Sequence, residues 1–155
     1  MIASIRRFTV AALACALPSA VLAVPPESCS IVKLDEVNTI ADGAAAKIQP
    51  RKSGNPTECG FLDSRQGAVL VISIREVQYA VQNELQYERE NLEKIYRTKA
   101  KMIDTVGEGA FWIGATHSMY FRKGKNIVSV TFSRTKNQNE VDTGQIARLI
   151  DSRLK

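Results

Sequence analysis

Residues 128–133 alternate strictly between apolar and polar: Val128, Val130 and Phe132 are separated by Ser129, Thr131 and Ser133. That is the period-2 signature of a strand with one buried and one solvated face. Two further runs rich in aromatic and β-branched residues, Ala110–Ile113 and 118–122, precede it across turn-forming residues, so residues 104–134 predict a three-stranded antiparallel meander. Gly124, within Lys123-Gly124-Lys125-Asn126, supplies the backbone freedom of a tight turn, and Gly107 and Gly109 lead into the first strand. The sheet is the organising element of the chain.

Upstream, Leu34, Val37, Ile40 and Ala41 recur at helical spacing, with Asp35 at the start and Gly43 as a stop, predicting a short helix. Residues 44–49 predict a strand ended by Pro50, residues 51–57 a loop, residues 58–63 a strand carrying Cys59, and residues 68–75 a strand with Leu70, Ile72 and Ile74 on one face. Residues 78–99 predict a long amphipathic helix: Val81, Leu85, Leu92, Ile95 and Tyr96 form its stripe, and Glu90 with Lys94 and Glu93 with Arg97 form favourable i,i+4 pairs. The stripe is expected to cover Val128, Val130 and Phe132. A last helix over residues 140–154 offers Val141, Ile146, Leu149 and Ile150 for burial, with Arg153 and Lys155 suiting its C-terminal dipole. The expected fold is therefore a single α+β domain over residues 24–155, an antiparallel sheet with helices packed on one face, in the order α-β-β-β-α-β-β-β-α. That order hints at two copies of an α-β-β-β unit.

The N-terminal residues place this domain in a compartment. Arg6 and Arg7, an apolar run over 8–23 and the small-residue close Val21-Leu22-Ala23 read as a secretory signal peptide, residues 1–23, too short to span a membrane stably. Ala12-Leu13-Ala14-Cys15 loosely resembles a lipoprotein signal. Ala stands where a larger aliphatic is usual, so a soluble periplasmic product is the preferred reading over a lipoprotein anchored through Cys15. Loss of Arg6 and Arg7 lowers the formal charge from +5 to +3, a mild excess. Export argues against a nucleic-acid partner. Of three cysteines, Cys29 and Cys59 remain after cleavage, and in an oxidising compartment they are expected to form a disulfide.

Catalytic chemistry finds little support. A nucleophile needs a converging base, and His117 is the single histidine, opening a strand after a Gly-Ala-Thr turn with no nucleophile elbow beside it. Ser30-Ile31-Val32-Lys33 and Ser152-Arg153-Leu154-Lys155 match Ser-x-x-Lys without the partner motifs of acylating enzymes. Gly107-Glu108-Gly109 precedes a strand, whereas a phosphate-cradling loop opens onto a helix. His117 and Met119 could share a strand face as soft copper ligands, but a third ligand is not evident. No catalytic set, metal or cofactor is expected.

Cys29 ahead of the first helix, Glu58-Cys59-Gly60-Phe61 leading into a strand, and Val106-Gly107-Glu108-Gly109-Ala110-Phe111-Trp112 after a helix occur here in order. In these features the chain resembles a loose group of small exported bacterial domains of unknown function, with a Cys-led helix, a Cys-bearing strand and a Gly-x-Gly-x-Ala-aromatic strand. The resemblance implies an α+β fold with a disulfide and brings no catalytic residues.

The expected function is thus that of an exported, non-catalytic binding protein of the bacterial cell envelope, such as an inhibitor or immunity-type partner of another exported protein. The alternative is a carrier or sensor holding a small apolar ligand between the sheet and the long helix. Trp112, Tyr120 and Arg122 are the candidate binding residues, because Trp, Tyr and Arg dominate interface hot spots. They form one surface only if Trp112 and Tyr120, on neighbouring strands, share a face; in the competing reading Trp112 fills the core.

Overall fold

Leu70, Ile72 and Ile74 lie directly opposite Phe132, Val130 and Val128, so alternation in two antiparallel strands drives all six side chains to one face, each no more than 1% exposed. This pairing is the centre of the computed structural model, which describes residues 28–78, 81–133 and 140–155. The elements in order are α1 (Ser28–Ile31), α2 (Leu34–Ile40), β1 (Lys47–Lys52), β2 (Thr57–Leu62), β3 (Ala68–Glu76), α3 (Val81–Tyr96), β4 (Lys101–Ile103), β5 (Ala110–Ile113), β6 (Ser118–Lys123), β7 (Asn126–Phe132) and α4 (Glu140–Arg153). One seven-stranded antiparallel sheet runs β1-β2-β3-β7-β6-β5-β4. Two meanders thus start at opposite edges and meet at β3 and β7. The signal-peptide segment, residues 1–23, lies outside the described residues.

The α+β class and the antiparallel sheet match expectation, but the helices do not share one face. α1, α2 and α4 cover the face of Leu70 and Val130, where Val32, Val37, Ile146 and Ile150 join the core. α3 lies on the other face, where Arg75 reaches Glu84 at 3.3 Å and Glu88 at 2.7 Å. The cause is that both phases of β5 are apolar. Ala110, Phe111, Trp112 and Ile113 are all buried, so the second face also has apolar surface to cover. α3 therefore does not pack on Val128, Val130 and Phe132. Its expected stripe is only partly used, because Ile95 and Tyr96 remain 68% and 46% exposed.

The order also differs, since α1 and β4 are additional elements. α3 ends at Tyr96 because Arg97 turns left-handed (φ 49°), and Glu93 then accepts from the Ala100 amide at 2.9 Å, tying the helix end to the start of β4. That hydrogen bond lowers the Glu93 pKa. Glu93 thus serves Lys99 and Ala100, while Glu90 accepts from Gln86. β1 contains Pro50, which an edge strand tolerates because its missing N–H need not serve the ladder. A two-fold axis normal to the sheet between β3 and β7 would carry α2 to the same face as α3. They lie on opposite faces, so the two halves are not related by such an axis.

Cys29 and Cys59 form a disulfide, with Cα atoms 5.0 Å apart, joining α1 to β2. Cross-linking a loop of this length stabilises by roughly 3–4 kcal/mol in the chain-entropy model. In the same helical layer, the Arg153 guanidinium donates to the Ile31 carbonyl at 2.7 Å and to Glu36 at 2.8 Å, tying α4 to α1 and α2. Among the described residues no helix is long and apolar enough to cross a membrane.

Candidate functional site

Register decides the fate of the three expected binding residues. Trp112 pairs with Met119 and faces the main core, 9% exposed. Tyr120 and Arg122, on the neighbouring strand, face α3, so the three do not form one surface. Tyr120 stacks on Phe111 with ring centroids 5.0 Å apart. Burial, and then the nearby Glu88 carboxylate, push its phenol pKa up to about 12. Arg122 sits 3.1 Å from Glu108 and donates to the Glu108 carbonyl, holding the loop ahead of β5. His117, left-handed at φ 50°, closes the short 3-10 turn Gly114–Thr116. Met119 is buried in the core.

A different surface is left open. At one edge of the sheet, β1 carries Lys47, Pro50, Arg51 and Lys52, the charges and proline that blunt an edge against further pairing. The loop after it is also anchored: Asn55 donates to the Glu76 carbonyl at 2.8 Å and accepts from the Glu76 amide at 2.9 Å. At the opposite edge, β4 pairs with β5, and no strand among the described residues pairs with its outer side. There Met102, in β4 itself, and Val141, in α4, are large apolar side chains left 59% and 61% exposed.

A cleft lies on each side of this strand. On the α3 face, a cleft of about 220 Å³ is lined by Leu85, Gln86, Arg89, Met102 and Phe111. On the α4 face, one of about 300 Å³ includes Ile103, Met119, Val141, Gly144 and Arg148. Two acids and two bases line the second cleft, Asp104 and Glu140 against Lys101 and Arg148, and Lys101 bonds both Glu140 oxygens at 2.8 Å. In the first, Arg89 is the only charged residue among the described ones. Its Nη1 donates to the Met102 thioether at 3.3 Å, its nearest carboxylate contact is Glu90 at 3.9 Å, and its Nε is buried without a partner.

No protein-family model and no curated protein matches this chain. The site is therefore read from its own geometry. An open strand edge with a side-chain cleft above and below is what an added strand requires, because main-chain hydrogen bonds supply affinity and alternate side chains fill pockets on opposite faces. Sequence reasoning missed this edge because β4 is only three residues long and stands four residues beyond the end of a helix. The one local signal was Lys101-Met102-Ile103 standing between the helix and the Gly107 loop.

Proposed function

We propose that this protein is an exported, non-catalytic binding protein of the bacterial cell envelope that captures an extended segment of another exported protein as an eighth strand on β4. An inhibitor or an immunity-type partner would work in this way. The observation that carries the reading is the β4 edge, unpaired on its outer side among the described residues and flanked by a cleft on each face. The opposite edge being blocked by Pro50 and cations supports the asymmetry, since only one edge is left to accept a strand. The signal-like residues 1–23 and the Cys29–Cys59 disulfide support export to the periplasm. Use of His117 as a turn cap and of Arg122 as a loop clamp supports a non-catalytic role.

The carrier reading is less well supported. It needs a cavity between the sheet and the long helix, but Leu70 and Ile72 are fully buried and face α1, α2 and α4 rather than the long helix. The test is capture of a partner from envelope extract, followed by Met102→Lys and Val141→Lys on the folded protein. Both variants are expected to lose the partner. Unchanged capture by both would remove β4 as the contact surface.

A further inference from the structure

From the charge and satisfaction of the α3-side cleft, we infer that the strand β4 accepts carries a carboxylate side chain directed to Arg89, with an apolar side chain an odd number of positions away entering the opposite cleft. This rests on the strand-addition reading above and adds the chemistry of the partner segment.

Arg89 is held in place but under-used. Its side chain is 30% exposed and lies along the wall formed by Leu85, Met102 and Phe111. A guanidinium has five N–H donors arranged to meet a carboxylate in a bidentate fork. Here one donor meets a thioether, a weak acceptor, and the Nε hydrogen meets no protein acceptor. The Nη2 group meets only Glu90, at 3.9 Å, so a carboxylate arriving in the cleft would gain a charge-assisted bond to the guanidinium tip. The neighbouring acids are engaged elsewhere. Glu84 and Glu88 are bound to Arg75, and Glu93 to Ala100 and Lys99.

The opposite cleft has different chemistry. Among the described residues its charges balance, and its inner wall is Met119, 1% exposed, beside the missing side chain of Gly144, where an added Cβ would lie 3.6 Å from the Met119 methyl carbon. That wall suits an apolar side chain. Consecutive residues of a strand point to opposite faces, so the acid and the apolar residue must be separated by one, three or another odd number of positions.

The experiment uses the mature protein and a phage library of random peptides about a dozen residues long, a length that suits strand addition. Enriched peptides are expected to share an acid and an apolar residue at odd spacing. They should also shift the amide resonances of Lys101, Met102 and Ile103. Replacing the peptide's acid by its amide is expected to weaken binding about tenfold to the wild type and not at all to Arg89→Gln, the signature of a direct charge pair. If amide and acid peptides bind the wild type equally while those resonances still shift, the carboxylate inference falls and strand addition stands. If no peptide moves those resonances, strand addition falls with it. If protein concentration alone moves them, the occupant is a second copy of this chain and the inference is overturned.

Discussion

Trp112 and Tyr120 stand on adjacent strands one register step apart and point to opposite faces, Trp112 opposite Met119 and Tyr120 opposite Phe111. Trp112 is therefore a core residue of the main layer, and truncating it removes a large buried ring. Trp112→Ala is expected to lower unfolding free energy by about 3–5 kcal/mol, whereas Tyr120→Phe, which keeps the stack on Phe111, is expected to cost about 1 kcal/mol or less. Urea denaturation of the two variants checks this. Equal, small losses would mean that Trp112 is not packed in the core.

Gly107 is a second point where the sheet leaves no room. At φ +59° an added Cβ would sit 2.3 Å from the Arg122 carbonyl oxygen, a backbone atom that cannot swing aside. That same carbonyl accepts from the Glu108 amide at 2.8 Å, so relief would break the loop's attachment. Gly107→Ala is expected to destabilise by about 2 kcal/mol or more, while Gly124→Ala, equally left-handed but with open space around it, is expected to cost about 1 kcal/mol. Thermal unfolding of the pair separates steric from purely conformational cost.

The Cys29–Cys59 bridge closes a separation of 30 residues. Replacing both cysteines by serine is expected to lower stability by roughly 3–4 kcal/mol, and reductant to lower the unfolding temperature of the wild type but not of the double variant. Equal response of the two proteins to reductant would show that the bridge is not formed in the isolated protein.

Acid should loosen the helical layer before it reaches the sheet. The Glu36 carboxyl is lowered from 4.5 to about 2, first by the hydrogen bond from Arg153 and then by the Lys33 amide, against a smaller opposing effect of burial. A depressed carboxylate pKa contributes stability that is complete above the unfolded value and is lost as pH falls from about 4.5 toward about 2. Both partners are solvent-exposed enough for screening to weaken the pair. Arg153→Met is therefore expected to flatten the decline in unfolding temperature over that pH window, with a change of roughly 2–4 °C at neutral pH. A wild-type and variant pH profile that run parallel through this window would refute the assignment.

Much of the sheet was legible because its signals are local. The alternation of Leu70, Ile72 and Ile74, of Val128, Val130 and Phe132, and the turn at Gly124 each sit within a few residues of chain. β4 was not legible, because three residues carry no period and Lys101, Met102 and Ile103 become a strand only by meeting Trp112, Phe111 and Ala110. The face chosen by α3 was hidden for a related reason: with Ala110, Phe111, Trp112 and Ile113 all apolar, alternation in β5 gives no preference between faces. The site inherits both difficulties. Trp112 drew notice as a residue type, but its burial was set by its partner Met119, and Arg89 gave no sequence signal of the cleft it enters.

Gly144 separates stability from binding. It lies inside α4, where glycine costs about 0.5–1 kcal/mol relative to alanine, so Gly144→Ala should stabilise the helix. The new Cβ would meet the Arg148 guanidinium at 3.3 Å and the Met119 methyl carbon at 3.6 Å. Arg148 is exposed and can move, which keeps the cost low, but the methyl group narrows the α4-side cleft that an added strand's apolar side chain is proposed to fill. The expected outcome is an unfolding temperature raised by roughly 2–5 °C together with about tenfold weaker binding of peptides bearing a bulky apolar residue, and unchanged binding of those bearing alanine there. Calorimetry and peptide titration on one sample test both halves. Higher stability with undiminished binding of the bulky peptides would mean that the cleft beside Gly144 receives no side chain.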